Sequence, residues 1–263
     1  MRVIIKQNYD EMSEWAAKYI AYSIKKHRPT PKRPFVLGIP SGSTPLKMFE
    51  LLAQMYKKGE ISFENVIFFA MGEYIGVGAG DEHGFQYFLW DKFLKYVNVK
   101  KEHTHFLDGL TTNYAKECAN YEKAIKDCGG VDLFVGGVGE DGHIAFNEPY
   151  SSLASRTRAK LLTPSTIKAN SRFFDNDESK VPPLVLTIGI ETMMEAKEVM
   201  ILASGKQKAL ALHHAVEGSL THVWPISVLQ KHPHGIIVCD DAAAGEISVG
   251  VAEYFKDIES HTF

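Results

Sequence analysis

The sequence has little cysteine, no long apolar run and no excess of one charge. Its three cysteines show neither a disulfide framework nor a zinc spacing, which fits a reducing cytoplasm. No apolar run approaches the roughly 18 residues of a membrane span. With 29 basic and 32 acidic residues, the net charge of −3 lacks the basic footprint of a nucleic-acid-binding protein. We therefore expect a cytoplasmic protein with no metal site, no membrane span and no nucleic-acid partner.

Short apolar runs alternate with amphipathic segments along the whole chain. The predicted strands are residues 2–6, 35–39, 66–71, 131–135, 184–188, 199–203 and 236–239. The predicted helices are residues 9–27, a helix that starts at Pro45, and residues 84–96, 114–128, 205–217 and 243–259. This alternation favours an α/β fold in which a parallel sheet carries helices on both faces. No boundary interrupts the pattern, so residues 1–263 are expected to form a single domain.

The stretch VDLFVGGVGEDGHIAFNEP, residues 131–149, combines a buried strand with a glycine-rich turn. Asp141, His143 and Glu148 follow closely, and open α/β sheets bind ligands at the carboxyl ends of their strands. A histidine between two carboxylates suits general acid–base catalysis near neutral pH. Alternatively, the histidine is only a structural hydrogen-bonding group.

A second loop, between the strand 35–39 and the helix at Pro45, consists of Ser41, Gly42, Ser43 and Thr44. Backbone N–H groups and the helix dipole favour an anion at such a position, which indicates a phosphate site. Alternatively, Ser43 or Thr44 only caps the helix. Lys206 and Lys208 lie in the first predicted turn of another helix, where their charge opposes the helix dipole and indicates an anionic ligand nearby.

The segment 151–177 has few periodic apolar residues and several cations. These are Arg156, Arg158, Lys160, Lys168 and Arg172. Either the segment presents a solvated basic face or it holds anion sites, and the pattern alone leaves both interpretations open.

Taken together, these stretches closely resemble the glucosamine-6-phosphate deaminases. The matching stretches are FVLGIPSGSTP, GGVGEDGHIAFNEP, SSLASRTR, ANSRFFD, GKQKALAL, HHAVEGSLTHVWPIS and VAEYFKDIE. The resemblance implies a modified Rossmann-like, three-layer α/β sandwich with a central, mostly parallel sheet. It also implies a hydrolase of amino-sugar metabolism that opens, isomerises and deaminates glucosamine 6-phosphate to fructose 6-phosphate and ammonia. Neither a metal nor an organic cofactor is implied.

The resemblance assigns roles by position. His143 is similar to the group that shuttles the ring-opening proton, with Asp141 and Glu148 as its partners. Ser41, Gly42, Ser43, Thr44, Arg172 and Lys208 resemble the substrate-phosphate site. A second, allosteric site, for the activator N-acetylglucosamine 6-phosphate between subunits of a homo-hexamer, is implied at Ser151, Ser152, Arg158, Lys160, Leu161 and Tyr254. Leu161 departs from that pattern as an apolar side chain in a polar block.

The largest departure is Gly72. The family's strand end reads Met-Asp-Glu-Tyr, and its aspartate removes the C2 proton, whereas this chain reads Met71, Gly72, Glu73 and Tyr74. Three hypotheses follow. The chain is a deaminase that uses another base, such as Glu73, Asp81 or water; a weakened or inactive binder of amino-sugar phosphates; or an enzyme with another sugar-phosphate activity, such as lactone hydrolysis.

Overall fold

The computed structural model describes residues 1–260 and contains ten strands. They are β1 Arg2–Lys6, β2 Phe35–Ile39, β3 Val66–Ala70, β4 Gly72–Tyr74, β5 Thr104–His105, β6 Leu133–Gly137, β7 Arg158–Leu161, β8 Leu184–Thr187, β9 Glu198–Ala203 and β10 Gly235–Asp240. The α-helices are α1 Tyr9–His27, α2 Leu46–Lys57, α3 Phe85–Lys92, α4 Tyr114–Asp127, α5 Pro164–Asn170, α6 Ile190–Met194, α7 Ala209–Val216 and α8 Val249–Ser260. None of these helices is long and apolar enough to cross a membrane.

Seven strands form one parallel sheet in the order β1-β10-β9-β6-β2-β3-β5. Successive side chains of these strands alternate between two cores, as the period of a strand requires. In β2, for example, Val36 packs into the core that includes residues of α4 and α7, whereas Leu37 packs into the core formed with α1 and α2. The sheet therefore has a helical layer on each face, which confirms the predicted three-layer α/β architecture.

A smaller antiparallel sheet, β4-β8-β7, lies outside the main one. The strand predicted at 184–188 is present as β8, but it pairs with β4 and β7 rather than joining the parallel sheet. Two elements within the basic segment, β7 and α5, were not predicted, because a short strand on a sheet edge and a seven-residue helix leave little periodic signal.

Three predicted helices are shorter than expected. The helix predicted at 84–96 breaks at Phe93, whose φ and ψ of −144° and −60° are not helical. The helix predicted at 205–217 begins as a 3₁₀ turn, Lys206–Lys208, before α7. The helix predicted at 243–259 starts only at Val249, because the Asp240 carboxylate accepts a hydrogen bond from the N–H of Ala243 and holds a turn there.

Four neighbouring strands, in the order β9-β6-β2-β3, end at the same edge of the sheet. Chain order reverses between β6 and β2, and ligands of open α/β folds bind at such a switch point. The segments that leave these four strands are residues 204–208, 138–149, 40–45 and 71–74. The residues that the resemblance predicts to be catalytic or to bind substrate thus lie together at this edge of the sheet. The exception is Arg172, which lies on the basic segment.

Candidate active site

The loop after β6 brings Asp141, His143 and Glu148 together. The Asp141 Oδ1 atom lies 2.7 Å from His143 Nδ1 and also accepts a hydrogen bond from the His143 N–H at 3.1 Å. Glu148 Oε2 lies 3.7 Å from the same His143 nitrogen. Nδ1 is therefore engaged by Asp141. The other ring nitrogen, Nε2, has no hydrogen bond among the described residues, and the ring is partly exposed.

The two carboxylates differ in their surroundings. Burial raises the pKa of Asp141, but the hydrogen bond and charge of His143 outweigh it, so that its pKa lies below the ordinary value. Glu148 is only 2% exposed; its Oε1 accepts a hydrogen bond from Thr163 N–H at 3.3 Å, whereas Oε2 is buried with no hydrogen-bond partner.

The same three residues form a group that a metal ion could use. One ligand atom from each of them lies within 4.8 Å of the other two. Imidazole and carboxylate donors fit first-row metals such as zinc or manganese. A metal on His143 Nδ1 would displace the hydrogen bond to Asp141, so the two uses of this histidine exclude each other. The sequence-based expectation of no metal site stays a prediction.

The loop after β2 is shaped as an anion nest. Gly42 has a φ of +96°, a conformation that favours glycine, and open space lies where a side chain would stand. Among the described residues, the backbone N–H groups of Gly42, Ser43 and Thr44 donate no hydrogen bond. The N-cap position of α2 is occupied by Pro45, without a side-chain capping bond, which speaks against Ser43 or Thr44 as the cap.

Lys208 lies near this edge on the turn after β9. Burial lowers the pKa of Lys208; the charge of Arg172 lowers it further, while Glu140 and Asp141 raise it. Lys208 is therefore close enough for its charge to interact with Arg172 and with the loop after β6. This loop, residues 138–149, is the candidate catalytic loop. Arg172 itself is exposed on the 3₁₀ turn Ser171–Phe173, and its guanidinium lies 4.7 Å from the centre of the Phe173 ring.

Asp240, which the sequence analysis missed, holds the turn that carries Lys208. Its carboxylate accepts hydrogen bonds from Ser204 Oγ at 2.5 Å and from the Gly205 N–H at 3.0 Å. The residue is 5% exposed and stands at the carboxyl end of β10, next to β9 in the sheet. An aspartate directly after a predicted strand was the available signal, since strand ends at this edge carry functional groups.

Gly72 borders the catalytic loop where the resemblance places the missing base. Its φ is not in the left-handed region. A Cβ atom built on it would stand 2.7 Å from the Leu186 carbonyl oxygen and 3.3 Å from the Phe146 ring. The phenylalanine belongs to the loop that carries His143, and its N–H donates to Thr187 Oγ1 at 3.1 Å. Phe146 and β8 therefore close the space beside Gly72.

Both carboxylate oxygens of Glu73 and one of Asp81, the two predicted substitute bases, accept hydrogen bonds. Glu73 is 2% exposed and accepts backbone hydrogen bonds from Tyr74, Phe85 and Gln86 at 2.8–2.9 Å. Burial raises the pKa of Glu73, and these three bonds oppose the rise. Asp81 is exposed and binds the backbone and ring of His83, which lowers its pKa.

The residues predicted for an activator are only partly brought together. Arg158 and Lys160 lie two apart on β7 and so share a face. Arg158 donates to Asn147 Oδ1 at 2.8 Å, next to Glu148. Ser151 is 3% exposed and its hydroxyl has no partner, whereas Ser152 is exposed. Ser151 and Ser152 lie in the chain segment between the loop 138–149 and β7, and Arg158 and Lys160 lie on β7 itself.

Leu161 and Tyr254 stand apart from that arrangement. The Leu161 side chain is 63% exposed and points away from the face that Arg158 and Lys160 share. Tyr254, on α8, is 59% exposed and has no hydrogen bond or ring contact with the other five among residues 1–260. Asn147, which links Arg158 to the catalytic loop, was not singled out from the sequence.

Comparison with known proteins decides the family. The family model described as "Glucosamine-6-phosphate isomerases/6-phosphogluconolactonase" matches residues 7–238. The chain belongs to this family. It is 54% identical to a glucosamine-6-phosphate deaminase of Phocaeicola vulgatus over 98% of both chains. The family thus agrees with the resemblance found in the sequence.

Solved structures agree with this family at the level of the fold. A structure described as a monomeric glucosamine-6-phosphate deaminase superposes with a TM-score of 0.89 at 32% identity, covering 94% of this chain and 100% of that one. The 6-phosphogluconolactonase of Leishmania guyanensis superposes with a TM-score of 0.74 at 21% identity, covering 94% and 99%. The second likeness shows a shared fold alone.

Proposed function

We propose that the chain is a glucosamine-6-phosphate deaminase that converts its substrate to fructose 6-phosphate and ammonia, with its isomerisation step slowed at Gly72. The observation that carries the proposal is the contact between Asp141 and His143, 2.7 Å apart at the switch point of the sheet. A relative that is 54% identical over nearly the full chain is named a glucosamine-6-phosphate deaminase, which supports the same substrate.

The loop arrangement supports separate roles for binding and ring opening. Free N–H groups of Gly42, Ser43 and Thr44 receive the substrate phosphate, and the cations of Lys208 and Arg172 balance its charge. His143 takes the proton from the anomeric hydroxyl and returns it to the ring oxygen, while Asp141 fixes its tautomer. These roles concern this chain's own side chains and need no cofactor.

A weakened or inactive binder is the second candidate. The observation that favours it is the closed space beside Gly72, together with the engaged carboxylates of Glu73 and Asp81. The lactonase alternative has only the shared fold to support it. We also propose that residues 1–263 form a single domain and that the protein works in the cytoplasm, which its three unpaired cysteines support.

The assembly and regulation implied by the resemblance are part of the proposal. They are a homo-hexamer and an activator site for N-acetylglucosamine 6-phosphate, and the position of Arg158 and Lys160 on one face of β7 supports the activator site. The structural neighbour at 32% identity is described as monomeric, so a monomer is the alternative to the hexamer.

Calorimetry with glucosamine 6-phosphate and with glucosamine tests the binding half of the proposal, and ammonia release tests the reaction. The phosphorylated sugar is expected to bind more tightly. Lys208→Ala should weaken its binding by roughly 1.5–3 kcal/mol, the range for hydrogen bonds to charged groups. Lys206→Ala is the matched control, because Lys206 lies on the same 3₁₀ turn with its side chain exposed. Equal affinities for the two sugars would contradict a phosphate site.

A further inference from the structure

Arg172, one of the two proposed phosphate cations, lies on a segment outside the main sheet. The segment, residues 162–183, joins β7 to β8, and its 3₁₀ turn Ser171–Phe173 carries the arginine. Within residues 1–260, the Arg172 guanidinium contacts the Phe173 ring but makes no hydrogen bond or ion pair. The position of Arg172 therefore depends on how the turn is held.

Phe174 attaches this turn to the rest of the molecule. It is 4% exposed, and its N–H donates to the carbonyl oxygen of Ser171 at 2.7 Å. Two rings from β4 and the loop after it meet the Phe174 ring. The Tyr74 ring contacts it edge-on, at 5.6 Å between centroids, and the His83 ring stacks on it at 4.8 Å with 15° between the planes. Asn170 Nδ2 also donates to the Tyr74 hydroxyl at 2.9 Å, so both ends of the turn are attached here.

His83 is itself oriented by Asp81. Residues 75–84 contain four glycines, so few side chains of this loop can reach a neighbouring segment. The Asp81 Oδ1 atom lies 2.9 Å from His83 Nδ1 and accepts the His83 N–H at 3.0 Å. The His83 side chain remains 34% exposed, with one face of its ring against Phe174. The loop thus presents an oriented ring to the segment that carries Arg172.

We propose that His83 is a positioning residue for phosphate recognition, because its stacked ring holds the turn that places Arg172 at the phosphate site. Burial lowers the pKa of Lys208 and the charge of Arg172 lowers it further, so the turn lies near the second phosphate cation. Asp81 then orients a ring and does not act as the missing base. The inference rests on the proposed function, which assigns the substrate phosphate to Arg172 and Lys208.

Calorimetry with glucosamine 6-phosphate and with glucosamine measures the effect of His83→Ala. Loss of one aromatic ring pair should weaken binding of the phosphorylated sugar by roughly 2–10-fold, and binding of glucosamine should not change. Turnover at saturating substrate should stay the same, because the imidazole contacts no reacting atom and its loss affects the ground state and the transition state alike. His83→Phe keeps a ring on Phe174 and should restore the affinity. His234→Ala is the matched control, since this exposed histidine precedes β10 at the opposite edge of the sheet.

A double-mutant cycle tests whether the effect passes through Arg172. If it does, His83→Ala should weaken binding no further in a protein that already carries Arg172→Ala, since the effects of coupled residues are not additive. Fully additive effects overturn the inference.

Hydrogen exchange gives a readout that needs no substrate. The N–H groups of Phe174 and Asn176 both donate to the Ser171 carbonyl oxygen. Both should exchange faster in His83→Ala than in His234→Ala, because the turn opens more often when the stacked ring is lost. Unchanged exchange at both positions contradicts the proposed role of His83.

Asp81→Ala separates the orienting role of this carboxylate from the role of a base. It removes the acceptor of both His83 bonds and should weaken binding of glucosamine 6-phosphate in the same direction as His83→Ala, without loss of turnover. Loss of turnover by roughly 10²–10⁴-fold with unchanged affinity would instead make Asp81 the base. The same variant carries the test if His83→Ala does not fold.

The outcomes distinguish this inference from the proposed function. If the unmodified protein prefers glucosamine 6-phosphate and His83→Ala retains the full affinity, the inference is wrong and the phosphate site stands. If the unmodified protein binds both sugars equally, the proposed phosphate site fails and the inference fails with it. Equal weakening of both sugars by His83→Ala also overturns the inference, because the residue then supports the whole site rather than Arg172.

Discussion

At the scale of single residues, the proposed slowing of isomerisation is located at Gly72. The sequence shows that a glycine stands there, and the structure shows what surrounds it. Its backbone conformation is one that any residue adopts, so strain in φ is not the obstacle. The obstacle is contact, because a Cβ atom would lie 2.7 Å from the Leu186 carbonyl oxygen. Restoring an aspartate therefore requires β4 and β8 to separate slightly.

Gly72→Asp is expected to raise turnover while lowering the free energy of unfolding by about 1–3 kcal/mol, the usual cost of overpacking. Turnover rises because the carboxylate supplies a base for the C2 proton, and substrate affinity changes little because that base acts mainly in the transition state. Steady-state kinetics and urea unfolding measure the two effects.

Gly72→Ala separates the two effects of that substitution. It introduces the same Cβ contact without a base, so it should share the loss of stability and gain no turnover. If Gly72→Asp is no faster than the unmodified protein, and the unmodified protein already turns over at about 10 s⁻¹, a typical enzyme rate, then another group is the base.

At the scale of elements, the strand ends were the most predictable part of the molecule. The runs 35–39, 131–135 and 199–203 are apolar except for Asp132, because each strand is covered on both faces, and the loops after them carry the predicted site residues. The antiparallel sheet was not predictable in the same way. Gly72–Tyr74 pairs with Leu184–Thr187 across more than a hundred residues, and no local pattern encodes such a pairing.

The same contrast holds within the candidate site. Asp141 and His143 are two residues apart, so their contact follows from local sequence. The engagement of Glu73 by the N–H groups of Phe85 and Gln86 depends on where α3 begins, which spacing alone does not reveal. The sequence therefore identified Glu73 as a possible base, and the structure shows it as the acceptor that caps α3.

The turn between β9 and α7 places Lys208, and Asp240 on the neighbouring strand fixes that turn. Asp240→Asn should lower the free energy of unfolding by about 1–3 kcal/mol, because bonds from Ser204, Gly205 and the Ala243 N–H to a charged acceptor are weakened. It should also weaken binding of glucosamine 6-phosphate but not of glucosamine. Urea unfolding and calorimetry measure these changes.

Asp241→Asn is the control for that experiment. Asp241 is exposed and its carboxylate accepts a hydrogen bond from Lys256 at 3.0 Å, so its loss should cost no more than ~1 kcal/mol. If Asp240→Asn weakens the binding of glucosamine 6-phosphate and of glucosamine equally, the turn supports the whole site rather than the phosphate end.

At the scale of the whole molecule, the basic segment connects the proposed activator site on β7 to the catalytic loop. Arg158 donates to Asn147 Oδ1, and Asn147 Nδ2 donates to the carbonyl oxygens of Ile144 and Ile188. Asn147 is 1% exposed and directly precedes Glu148. An anion that draws the Arg158 guanidinium outward would remove one bond from this chain of contacts. The exposed Leu161 side chain points away from the face on which such an anion would bind.

The arrangement predicts that N-acetylglucosamine 6-phosphate binds in addition to a saturating active-site ligand, such as the open-chain amino-alditol 6-phosphate, and that each changes the affinity of the other equally. Coupling of this kind is typically ~1–3 kcal/mol.

Arg158→Lys should keep the positive charge and much of the activator binding but lose coupling, because an ammonium cannot hold an anion and Asn147 as a planar guanidinium does. Arg156→Lys is the matched control, since Arg156 pairs with Glu195 at the surface. Calorimetric titrations in both orders measure the coupling, and sedimentation velocity on the same samples gives the assembly state. Loss of all activator binding in the presence of the active-site ligand would mean that the two share one site, and unchanged coupling in Arg158→Lys would exclude the route through Asn147.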